Sequence, residues 1–88
     1  MEWTDEESRA WQVAIETLGS VLDRNGYKRN PPLLPWEILY RNGNIAVFIF
    51  PCSGRMLILK RRQAEPLYKG DYLTPEELDN KIKDWSKL

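Results

Sequence analysis

Trp36–Arg41 alternates large apolar residues with polar or smaller ones, Asn42-Gly43 follows, and Asn44–Phe50 resumes as an apolar run. Nothing else in the chain constrains its fold as tightly. Asn-Gly between two such runs is the strongest short hairpin signal, because a type I′ turn needs positive φ at both central positions. Strand one, Trp36–Arg41, therefore turns directly into strand two, Asn44–Phe50. Cys52-Ser53-Gly54 reads as a three-residue loop with glycine at its left-handed position, leading into strand three, Arg55–Arg62. The result is a three-stranded antiparallel meander.

Helical patterns flank it. Thr4 followed three residues later by Glu7 is a capping box, and Trp11, Ala14, Ile15, Leu18, Val21 and Leu22 repeat at helical spacing. This predicts one helix from about residue 5 to about residue 24, ended by Asn25-Gly26. Pro31, Pro32 and Pro35 make residues 30–35 an extended connector, and Gln63–Tyr72, with Pro66 and Gly70, reads as a loop. Thr74-Pro75-Glu76-Glu77 opens the last helix with a cap, a proline at the first helical position and a carboxylate reaching back. Leu73 and Leu78 form its hydrophobic staple, and Leu78, Ile82 and Trp85 form its buried stripe. The fold class is α+β, one domain over residues 1–88, in the order α-β-β-β-α.

That order is similar to the order of elements in double-stranded-RNA-binding domains. The resemblance stops there. In that family the second helix begins with lysines that contact phosphates, whereas the corresponding start here, Thr74-Pro75-Glu76-Glu77, is acidic. No family assignment follows from it.

Eighty-eight residues bury only about 60 to 65% of their unfolded surface, so each large apolar residue matters. With the expected turns, alternation sorts the sheet into two faces. Trp36, Ile38, Tyr40, Ile45, Val47, Ile49, Leu57 and Leu59 share the face that belongs against the helices. The second face collects Glu37, Leu39, Arg41, Ala46, Phe48, Phe50, Met56, Ile58, Lys60 and Arg62. Its mixture of apolar area and cations makes it the expected working surface. A helix or a second copy of the chain, giving a homodimer, would be the alternative way of covering it.

Charge points to the same region. Residues 24–69 hold nine basic side chains against two acidic ones, a balance of +7, while the first 23 residues balance to −5 and the last 19 to −2, for a net charge of zero. Segregated charge attracts anions to one surface of a neutral molecule.

Catalysis is not expected. The chain has no histidine and one cysteine, Cys52, with no imidazole to activate it. Zinc-type ligand spacing and a phosphate loop are both missing, so no cofactor is expected, and most carboxylates sit at helix starts, where they meet the positive end of the dipole. No apolar run is long enough to span a membrane, and the acidic start is unlike a secretory leader. With its lone cysteine, the chain is expected in the cytoplasm.

Binding of another protein is the function this composition fits. The expected contact residues are Arg41, Phe48, Phe50, Lys60 and Arg62 on the sheet, with Tyr68, Lys69 and Tyr72 in the loop behind it. Trp3, Trp36 and Trp85 are further aromatic anchors, the last two assigned to the core. A short chain beginning at Met1 suits an adaptor, regulatory subunit or inhibitor, including one encoded by a mobile element or phage. The alternative is a nucleic-acid-binding domain in which Phe48 and Phe50 stack bases between Arg41, Lys60 and Arg62. Against it stand the zero net charge and a pI near 6.3.

Overall fold

The computed structural model describes residues 4–87; Trp3, one of the expected aromatic anchors, lies outside them. Helices α1 (Asp5–Ala14), α2 (Ser20–Arg24) and α3 (Pro75–Trp85) pack on one face of a five-stranded antiparallel sheet, with α1 and α2 joined by a π-helical turn over Ile15–Gly19. The strands β1 (Lys28–Asn30), β2 (Ile38–Asn42), β3 (Ile45–Phe50), β4 (Arg55–Lys60) and β5 (Tyr68–Asp71) lie in sequence order. The expected α+β class holds, with five strands in place of three. The order of elements therefore departs from that of the RNA-binding domains it resembled.

Both capping boxes are formed. The Thr4 hydroxyl accepts from Glu7 N at 3.1 Å and Glu7 returns the bond to Thr4 N, and Thr74 and Glu77 repeat the arrangement at α3. These hydrogen bonds, from the threonine backbone first and its hydroxyl second, hold both glutamates below their ordinary pKa. Leu73 and Leu78 are buried, as a staple requires.

The expected single helix widens into a π-helical turn at Ile15–Gly19, and the Tyr40 ring lies against Gly19 at its end. A Cβ at residue 19 would sit 2.5 Å from the Tyr40 hydroxyl oxygen, so only glycine lets helix and sheet approach this closely. The core then joins Leu18, Val21 and Leu22 of the helices to Ile38, Tyr40, Val47, Ile49, Met56 and Ile58 of the sheet, with Leu78 and Ile82 from α3.

Two turns set the sheet's faces. At the first, Asn42 pairs with Ile45, so Gly43-Asn44 is the centre in place of Asn42-Gly43. Gly43 has φ +57° and Asn44 has no positive φ, the pattern of a type II′ turn. The pairing moves by two residues, and the side chains of β2 and β3 keep their expected faces.

At the second turn the loop has four residues, Pro51–Gly54, and Phe50 pairs with Arg55. Gly54, at φ +69°, donates its N–H to Phe50 O at 2.9 Å. One extra loop residue shifts β4 by one position and reverses it. Met56 and Ile58, expected on the second face, are buried against the helices, and Leu57 and Leu59, expected in the core, point the other way.

Trp36 also departs from expectation. It precedes β2 in a turn and is 45% exposed, beside Leu33 at 78%. Glu37 is buried, and its carboxylate accepts from Leu33 N at 2.9 Å, folding the proline-rich segment back on itself.

Candidate functional site

All the helices lie on one side, so the other sheet face has no layer over it among the described residues. Its side chains form cross-strand rows fixed by the register. Asn30, Leu39, Phe48, Leu57 and Lys69 make the central row; Lys28, Arg41, Ala46 and Leu59 lie toward the β2–β3 turn; Phe50, Arg55 and Asp71 lie toward the opposite end. Leu39 and Ala46 are already buried by their neighbours, while Phe48, Phe50, Leu57 and Leu59 are half-buried. The apolar middle is thus flanked by Lys28, Arg41, Arg55 and Lys69, all exposed, against the single exposed carboxylate of Asp71.

Arg41, Phe48 and Phe50 stand together on this face, as expected, and Lys69, expected in a loop, joins them on β5. The other sequence-derived candidates do not. Lys60 pairs with Ile45 on the helix side and lines a groove of about 420 Å³ with Tyr27 and Trp85, although it also reaches the rim of the open face. Arg62 is outside the strand, in a turn, with φ +67°. Tyr68 is on the helix side, where its hydroxyl donates to Asp71 O at 2.7 Å. Tyr72 packs against the core; its phenol is pushed up to about 12, by burial first and by Cys52 second.

Lys28, Arg55, Leu57 and Leu59 were missed as members of the face. For Leu57 and Leu59 no local signal existed, because Met56–Leu59 is apolar at every position. Lys28 and Arg55 follow once β1 and the four-residue loop are placed.

On the helix side the Arg29 guanidinium lies 5.5 Å from the centre of the Trp11 ring, so this cation is engaged with α1. The described residues contain no group of three or more His, Cys, Asp or Glu side chains able to hold a metal ion, and no helix long and apolar enough to cross a membrane. Chemically, the open face offers apolar contact area at its centre and charge-assisted hydrogen bonds at its margin.

The chain matches no family model, no curated protein and no solved structure.

Proposed function

We propose that this is a non-enzymatic binding protein whose open sheet face docks on another protein, through apolar contacts at Phe48, Phe50, Leu57 and Leu59 and ion pairs at Lys28, Arg41, Arg55 and Lys69. One observation carries the reading: a five-stranded sheet with helices on one side keeps four half-buried large apolar residues on the other, ringed by exposed cations. Isolated surface leucines need no explanation, but a contiguous set across two adjacent strands does. The complementary partner is apolar with a carboxylate rim. Such a module acts by occupying a surface, as an adaptor, regulatory subunit or inhibitor does.

A photo-activatable residue placed at position 57 should crosslink one partner protein in the source cell, and the same residue at position 76 on α3 should not. Phe50→Asp should abolish the crosslink while leaving the circular dichroism spectrum intact. Equal crosslinking from both positions, or indifference to Phe50→Asp, would overturn the reading.

A further inference from the structure

At the end of the open face nearest the β2–β3 turn, the sheet and the segment after β4 enclose a shallow groove of about 770 Å³. Half-buried Phe48 lies in its floor, Arg41, Lys60 and Arg61 supply cations, and Asn44 and Gln63 supply side-chain amides. None of the residues lining it is acidic. Arg61 N donates to Asn44 O at 2.7 Å, which ties the two walls together. The Gln63 amide nitrogen donates to Glu65 O at 3.0 Å, which orients that amide.

A second hollow of about 210 Å³, lined by Asn44, Arg61 and Arg62, shares two of these residues. Arg62 occupies the third position of a turn closed by Gln63 N on Lys60 O at 3.1 Å. Its φ of +67° is one that glycine or asparagine ordinarily supplies at this position. A long charged side chain is thus held in a disfavoured conformation beside a second arginine, and such outliers concentrate at binding sites.

We propose that this groove binds a nucleotide, its base stacked on Phe48 and its phosphate held by Arg61 with Arg41 and Lys60 beside it. An aromatic face takes any base, guanidinium and ammonium groups take phosphate oxygens, and oriented amides meet base edges. The volume suits a small ligand. Arg62 extends the cationic path past the first phosphate, toward a second. A base must leave its stack to reach Phe48, so duplexes do not fit. The groove shares Arg41, Phe48 and Leu59 with the face proposed to dock a protein, but nucleotide binding does not rest on that docking, which crosslinking from position 57 reads separately.

The test is a titration of the full chain with labelled oligouridine and oligothymidine of about ten nucleotides, within the site sizes of single-strand binders. Free mononucleotides are followed in parallel by amide chemical shifts. Binding should saturate and weaken steeply between roughly 50 and roughly 200 mM salt. Phe48→Leu should weaken it roughly 5- to 100-fold, the loss of one base stack, and Phe48→Tyr should restore it. Arg61→Gln and Arg62→Asn should each flatten the salt slope by about one ion. Asparagine tolerates positive φ, so Arg62→Asn should be no less stable than the parent chain. Arg9→Gln, on α1, should change nothing.

Saturable shifts at Gly43, Ala46 and Gln63 with mononucleotides would identify a free nucleotide as the ligand, and binding of strands alone would identify single-stranded nucleic acid. Failure of both at low salt would overturn the proposal. So would heparin or duplex binding equal to that of the strand with Phe48→Leu without effect, since that is attraction for any polyanion.

Discussion

Tyr72 carries the buried side-chain oxygen that finds no hydrogen-bond partner among the described residues. A buried donor without a partner costs about 1 to 3 kcal/mol. Tyr72→Phe keeps the ring against the core and removes the unsatisfied group, so the variant should be more stable at neutral pH, by up to about that amount, in chemical denaturation. The same phenol gives a pH signature. Its value is raised from 10.0 to about 12, chiefly by burial, and burial raises Tyr27 and Tyr40 in the same direction. A raised value means that the folded chain holds the proton more tightly than the unfolded one. The stability this provides is complete below pH 10.0 and is lost as pH rises toward 12. Alkaline unfolding should therefore begin near pH 10, followed by tyrosinate absorbance, and Tyr72→Phe should reduce that pH dependence. An unchanged alkaline profile in the variant would place the driving group elsewhere.

At the scale of elements, β4 carries the sharpest consequence. Met56, Leu57, Ile58 and Leu59 would satisfy either face, so only the length of the preceding loop decides which pair is buried. Lysine separates the two registers. Met56→Lys or Ile58→Lys buries an unpaired charge and should cost more than about 4 kcal/mol, enough to unfold so small a domain, whereas Leu57→Lys and Leu59→Lys should each cost less than about 1 kcal/mol. Thermal melts of the four variants check this, and the reverse ranking would restore the three-residue loop. The same strand shows where sequence reading stops. Helix starts were legible because Thr4–Glu7 and Thr74–Glu77 are local chemistry, and the first hairpin because alternation in Ile38–Tyr40 and Ile45–Ile49 continues through it. The edge strands were not, since Lys28–Asn30 is short and polar and Tyr68–Asp71 contains a glycine. Edge strands of this kind owe their pairing to the neighbour that recruits them, and short polar edges also resist unwanted pairing between molecules.

At the scale of the whole molecule, the segregation of charge becomes a division between layers. The acidic stretches belong to α1 and α3, with Asp5, Glu6, Glu7, Glu76 and Glu77 in their first turns, and the open sheet face carries Lys28, Arg41, Arg55 and Lys69. Part of the site was therefore legible from charge and alternation, as Arg41, Phe48 and Phe50 show, whereas Lys69 was expected in a loop and reaches the face through β5. Lys60 was misplaced by the one-residue shift in β4, and Arg62 because β4 ends at Lys60 and turns. The division also decides how a homodimer could form. Two copies meeting face to face about a twofold axis would bring four cations of one toward four of the other, a repulsion that water and salt screen only over about 10 Å at 0.1 M. The chain should thus scatter light as a 10.4 kDa monomer at low salt, and any symmetric dimer should grow as salt rises and disappear in Leu57→Lys. A dimer strongest at low salt would mean the opposite contact, the acidic helices of one copy against the basic sheet of the next. That contact does not close on itself, so its mass should climb with concentration beyond two chains.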